Sequence, residues 1–172
     1  YVAFGAHNRG GAPDGQRTVS IKGANFMADL GKTSSPTISN ANDFVAMQAG
    51  GSYVLTDDIV LPTDYTAINF SGSLNGNGHT ITLDSAKGAS IFNELGSANI
   101  SNVTFKGSSK FATESGFVAA KVVGAAEVAF ENVTVDATIK STANAAGFIG
   151  TSDSSIKALT FKNCAFLGNI AS

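Results

Sequence analysis

The side chains able to do chemistry are few in this chain, and their spacing limits what they can do. Asp57 and Asp58 are the only adjacent carboxylates. A lyase or hydrolase needs two acids, or an acid and a cation, facing one cleft. Neighbours in a strand point to opposite faces, so this pair cannot act as a dyad without a bulge. Asp64 and Asp153 fall in loop-like segments with no patterned partner. Cys164 is the sole cysteine, it has no His after it, and one cysteine forms no internal disulfide. His79 sits in the turn-like run Gly76-Asn77-Gly78-His79-Thr80 and His7 lies far upstream, so structural roles are expected rather than a metal pair. Gly72, Gly76 and Gly78 lead into no helix and cradle no phosphate. No catalytic, cofactor-binding or metal site is expected, and no enzyme activity.

What would have to position such groups is a repeat. Ile100 to Gly107 recurs as Phe130 to Ala137 and again as Phe161 to Gly168, carrying Asn102, Asn132 and Asn163 at one place in each copy. A second element keeps step upstream: Ala89-Ser90-Ile91-Phe92, Ser115-Gly116-Phe117-Val118 and Ala146-Gly147-Phe148-Ile149. Apolar residues alternate within each copy, the strand period of two. Val103, Val133 and Cys164 make one inward column, which makes Cys164 core rather than nucleophile. Phe105, Val135 and Phe166 make the next, and Gly107, Ala137 and Gly168 a third, extended by Ile139 and Ile170. Stacked amides of Asn102, Asn132 and Asn163 are expected to bond to one another as a ladder at a corner. Asn69, Asn99, Asn102 and Asn132 also begin glycosylation sequons, two of which belong to the repeat itself. Thr82, Thr104 and Thr134 align as an outward hydroxyl column of the kind an ice-binding face would need. Asp84, Lys106 and Asp136 beside them spoil its flatness and suit cross-strand ion pairs instead.

Short strands, Gly and Asn corners and no helical pattern between them predict an all-β parallel β-helix, a solenoid whose turns stack at ~4.8 Å. Earlier strands are expected over Tyr53 to Leu61, Ala67 to Asn75 and His79 to Leu83, with Pro62 and Gly76-Asn77-Gly78 as corners. Polar capping residues Ser39, Asn40, Asn42 and Asp43, a short apolar face and Gly50 predict one capping helix near 40–49 that shields the first coil. The solenoid would cover 38–172, with the final coil either continued in a parent protein or left open. Residues 1–37 form a separate leader in which Tyr1 to Phe4 and Thr18 to Ile21 alternate like strands. Three outcomes stay open for it: a partly disordered tail, a strand pair over its own solenoid, or an assembly arm in which Val2, Phe4, Val19 and Ile21 pair with a neighbouring subunit.

The composition agrees with this. Nineteen glycines, nineteen serines and fourteen asparagines make a turn-rich chain of 172 residues, while a hydrophobic fraction of 43% provides a core. A net charge of -2 without basic or acidic runs argues against nucleic acid or an anionic membrane as partner. The longest apolar runs, such as Phe117-Val118-Ala119-Ala120, are too short to span a bilayer. A start at Tyr1 with no apolar signal segment is what a mature or excised piece would show.

The run Tyr53-Val54-Leu55-Thr56-Asp57-Asp58-Ile59, with Phe70-Ser71-Gly72-Ser73-Leu74-Asn75-Gly76-Asn77-Gly78-His79-Thr80-Ile81, resembles the bacterial GLUG-type surface-protein repeat family. Gly116-Phe117-Val118 and Gly147-Phe148-Ile149 look like degenerate copies of its glycine motif, with Ala119-Ala120 and Asn93 in place of a final Gly. The resemblance spans about 38–172. It implies a pectin-lyase-like right-handed β-helix, a secreted or cell-surface bacterial address, and a non-catalytic structural or adhesive role. The partner would be a host or matrix glycan or protein, or further copies of the chain as an extracellular filament. A fragment of a polysaccharide-active enzyme or surface protease is the remaining alternative.

Overall fold

A computed structural model of the chain describes residues 35–172. The arm residues Val2, Phe4, Val19 and Ile21 lie outside that range, as does His7. The described part is mostly β, with one short helix and a long parallel sheet. In chain order the elements are β1 (Thr37–Ile38), α1 (Ala41–Val45), β2 (Gly51–Leu55), β3 (Ile59–Leu61), β4 (Ile68–Asn75), β5 (Thr80–Asp84) and β6 (Phe92–Phe111). There follow β7 (Ser115–Gly116), β8 (Ala119–Val122), β9 (Glu127–Ser141), β10 (Ala145–Ala146), β11 (Ile149–Ser152), β12 (Ala158–Lys162), β13 (Ala165–Phe166) and β14 (Asn169–Ala171). Among the described residues no helix is long and apolar enough to cross a membrane.

Every strand pair is parallel, and the pairs form rows. In the first row β1, β2, β4, the middle of β6, the start of β9 and β12 lie side by side. In the second, Ile59 lies beside Ile81, Ile81 beside Phe105, Phe105 beside Val135, and Val135 beside Phe166. The third joins Ile68 to Phe92, Phe92 to Ala119 and Ala119 to Ile149. Parallel neighbours need a crossover between them. Here the crossover is made of strands of the other rows, because α1 is the single α-helix among the described residues.

The 20 residues of β6 would span about 66 Å if straight. Instead β6 contributes to all three rows, bending at Asn102, φ +52°, and Gly107, φ +128°. From Ala98 onward its buried side chains recur every second residue and skip one or two further residues where the strand bends, as those of β9 do at Asn132. Phe44, Phe92, Phe105, Phe117 and Phe130 are fully buried between the rows. Phe92 is the hub of one aromatic group, its ring centroid 5.7 Å from Phe44, 5.4 Å from Phe70 and 6.4 Å from Phe105. Every buried side-chain oxygen or nitrogen among the described residues has a partner. Ser90 and Ser115 share a hydrogen bond of 3.0 Å, and the Tyr65 hydroxyl donates to the Ile91 carbonyl at 2.8 Å. Burial raises the Tyr65 phenol well above its ordinary pKa, so it stays a donor.

Helix α1 is shorter than the pattern near 40–49 predicts. Asn40 caps it, accepting from the backbone N–H groups of Asn42 at 2.9 Å and Asp43 at 3.1 Å. Asp43 reaches back to accept from the Ser39 N–H at 3.0 Å and the Asn40 side-chain amide at 2.8 Å, and the Ser39 bond lowers its pKa most. After Ala46 the chain turns towards β2, because Gly51 must begin the strand that pairs with Gly72. The strand expected over Tyr53 to Leu61 is likewise two strands, β2 and β3, and Asp57-Asp58 occupies the corner between them.

Gly107 shows how tightly neighbouring strands approach. A β-carbon there would lie 2.2 Å from the Leu83 carbonyl oxygen, in addition to the strain of its positive φ. Gly78, φ +87°, has open space around the same position. Gly107→Ala should cost about 2–4 kcal/mol and Gly78→Ala only about 1 kcal/mol. Urea unfolding of the two variants against wild type measures both losses, and equal losses would show that contact with Leu83 does not matter.

Candidate functional site

Asn75, Asn102, Asn132 and Asn163 stand at the corner between the first and second rows. Asn102 donates its side-chain amide to the Asn75 side-chain oxygen at 3.1 Å, Asn132 to Asn102 at 3.0 Å, and Asn163 to Asn132 at 3.1 Å. Asn102, Asn132 and Asn163 have φ of +52°, +55° and +52°. Asparagine tolerates this left-handed conformation better than most residues. One residue type thus turns the backbone and ties it to the neighbouring corner. Asn75 belongs to the same chain of amides, and its signal in the sequence was the Asn-Gly-Asn-Gly run.

The apolar columns beside this corner follow the backbone register. Val103, Val133, Phe105 and Val135 are buried. Cys164 is half-buried, its Sγ 3.4 Å from the carbonyl oxygens of Phe130 and Lys162. Phe166 is 37% exposed. The threonine column is placed differently from its sequence alignment. Thr104 lies beside Thr80 and Thr134, while Thr82 lies beside Lys106. A slip of two residues keeps every side chain on its own face, so alternation alone could not choose between these registers. Lys106 still approaches Asp136, at 4.0 Å, and Asp84 instead accepts from Ser108 at 2.8 Å. The glycine-phenylalanine motifs also slip, by one residue: Ile149 pairs with Ala119 and not with Val118.

The ionisable groups are held in separate pairs on the outer faces. Asp58 accepts from the Thr80 N–H at 2.8 Å and lies 3.3 Å from His79 Nδ1, and the Thr80 bond lowers its pKa most. Asp64 sits in the exposed turn before Tyr65. Asp153 does have a partner: Lys121 Nζ lies 2.6 Å away and the Gly124 N–H donates to it at 2.9 Å. Those two bonds hold Asp153 below the ordinary carboxylate range, and Asp153 in turn raises Lys121. Asn69 and Asn93 extend this polar surface, with Asn93 donating to Asn69 at 2.9 Å and Asn69 to Glu94 at 3.3 Å. Among the described residues no three His, Cys, Asp or Glu side chains group as a metal site.

Two hollows lie near β12. Strands β12, β13 and β14 pair with β9. All five residues of β12 are exposed, although the β9 residues beside Leu159 and Phe161, Val128 and Phe130, are buried. Phe161 lies flat on Phe130 at 5.3 Å, with Phe148 at 5.2 Å. Phe148, Ile149, Leu159 and Phe161 line an open cavity of about 460 Å³ there. A second hollow of about 420 Å³, lined by Ser97, Asn99, Glu127 and Thr160 among others, runs over the outer face of the first row. Comparisons with protein-family models, with curated proteins and with solved structures return no match.

Two outcomes test these contacts. Asn132→Ala removes two amide bonds and puts an ordinary residue in the left-handed region, which should cost about 1–3 kcal/mol. Asn132→Gly should cost roughly 1 kcal/mol less, because glycine takes positive φ freely. Chemical denaturation separates turn from ladder; identical losses would assign the whole effect to the amides. For Asp153 the lowered pKa stabilises the fold above the ordinary carboxylate range and stops doing so as pH falls through it. Raised Lys121 contributes below the ordinary lysine range and is lost as pH climbs past it. The stability gap between wild type and Asp153→Asn should therefore be open near neutral pH and close in acid, as measured by urea unfolding across a pH series.

Proposed function

We propose that the chain is a right-handed parallel β-helix of the GLUG-type surface-protein kind, secreted or displayed on a bacterial cell surface, with a structural or adhesive and non-catalytic role. The observation that carries this is the row pattern: parallel neighbours reached through strands of other rows, with one chain of asparagine amides along a corner. Such a solenoid presents long regular faces instead of a single deep pocket. Its ionisable groups favour the same role, since Lys121 with Asp153 and Lys162 with Glu131 neutralise each other between adjacent strands. The outer face of the first row, with Ser52, Ser73, Asn99 and Glu127, offers small polar groups to a matrix glycan or host protein.

An array of matrix glycans and host proteins tests the adhesive role. Saturable binding without product release is expected, and an Asn99→Arg/Glu127→Arg variant should bind about tenfold more weakly or worse. Turnover of any bound glycan or protein would overturn the non-catalytic assignment. An experimental density map with antiparallel pairing among β4, β6 and β9 would overturn the solenoid itself.

A further inference from the structure

We propose that Lys110 and Lys140 form a site for an acidic glycan, holding one sulfate or carboxylate group between their two ammonium groups. The proposal rests on the adhesive reading and deepens it, naming a ligand class and a face other than the one around Asn99. In the register of β6 and β9, Lys110 lies directly beside Lys140. Both are exposed on the outer face, since the residues on either side of them, Ser109, Phe111, Ile139 and Ser141, are buried. Like charges set opposite each other in a sheet are destabilising. Wherever else the register sets a lysine beside a charged residue, that residue is a carboxylate: Lys106 meets Asp136, Lys121 meets Glu94 and Lys162 meets Glu131. Among the described residues no carboxylate forms an ion pair with Lys110 or Lys140. An anion held between the two would offset their repulsion. Ala171 lies on the other side of Lys140, so the pair stands within the face.

The surroundings select the ligand. Ser85, Ser108, Ser109, Lys110, Thr138 and Lys140 line an open hollow of about 310 Å³. That is near the small end of ligand sites, roughly 300–1,000 Å³, and suits one sugar residue of a longer chain. Thr138 stands two residues before Lys140 on the same exposed face and adds a hydroxyl that both donates and accepts. Asp84, at the far side of Ser108, accepts from the Ser108 hydroxyl at 2.8 Å. The hollow is therefore cationic at one end and rich in acceptors at the other, which fits a sugar carrying both an acidic substituent and free hydroxyls. A duplex or an anionic bilayer presents charge along its whole surface and would set it against Asp84 as well. Lys87, also exposed, adjoins the pair: a β-carbon on its neighbour Gly88 would lie 2.1 Å from the Lys110 carbonyl oxygen. A third lysine is thus placed for the next acidic group of the same glycan.

Calorimetric titration of the whole chain with a sulfated galactan hexasaccharide and with a galacturonate hexasaccharide tests the site. Saturable binding of at least one is expected, with an unsulfated galactan hexasaccharide inert, and the one bound shows which acidic group the site takes. Lys110→Gln/Lys140→Gln should weaken binding at least about tenfold, whereas Lys157→Gln, a lysine elsewhere on the surface, should leave it unchanged. Binding should also fade towards about 1 M salt, where charges are screened beyond about 3 Å. Because the double variant removes a repulsion, its urea midpoint should be no lower than that of wild type, so a loss of binding is not a loss of fold. Failure of both acidic saccharides to bind, or binding that survives the double variant, overturns the proposal. So does equally tight binding of inorganic sulfate or of phosphatidylserine vesicles, which would make the pair a simple anion or membrane site. If the acidic saccharides fail while other matrix glycans or host proteins still bind, this site alone is rejected; if nothing binds, the adhesive reading falls with it.

Discussion

Parallel pairing in register is the constraint on which the rest of this structure depends. It places each inward side chain about 4.8 Å from the equivalent one on the next strand. No inward position can then be chosen alone. Phe105 must suit Ile81 on one side and Val135 on the other, and Phe130 must suit Ile100 and Phe161. The aromatic rings meet this by stacking in the column, as Phe130 and Phe161 do, or by meeting edge to face, as Phe92 and Phe105 do. Close approach of the backbones sets the second demand. Glycine at 107 satisfies it, since even a methyl group would strike the Leu83 carbonyl.

Corners follow from the same constraint. Where the backbone leaves one row for the next, the ladder is interrupted: Ser101 pairs with Glu131 and Val103 with Val133, but Asn102 and Asn132 lie between these pairs. A left-handed residue makes the bend, and its side-chain amide has both a donor and an acceptor to extend to the neighbouring corners. Asparagine meets both requirements, whereas glycine meets only the first. The polar pairs on the outer faces obey the register too, joining side chains of adjacent strands such as Lys121 with Asp153 and Ser73 with Ser52 at 2.8 Å.

The strand period, the parallel all-β class and a short N-terminal helix were legible because they are local patterns repeated. Asn102, Asn132 and Asn163 stood out for the same reason. What the sequence hid was register. Alternation specifies a face, and a shift of two residues preserves it, so Thr82 could be aligned with Thr104 although it lies beside Lys106. The partnership of Lys121 and Asp153 was hidden differently. Asp153 lies just past the end of β11, yet the spacing that relates Asn132 to Asn163 carries Lys121 to within one residue of it. Applying the repeat spacing to polar residues as well as apolar ones would have found this pair. The helix was overextended because its apolar face runs on through Met47, which is buried, while the backbone around it already turns towards β2.

The first edge of the rows poses a further problem. A free strand edge is a template for another strand, and proteins blunt it with charge, proline or a covering element. At the first edge, α1 supplies the cover, and its short length suffices because Phe44 alone reaches the aromatic group around Phe92. On β12 the register itself manages charge, because it sets Lys162 beside Glu131 of β9 and the two side chains bond to each other instead of standing free on the outer face.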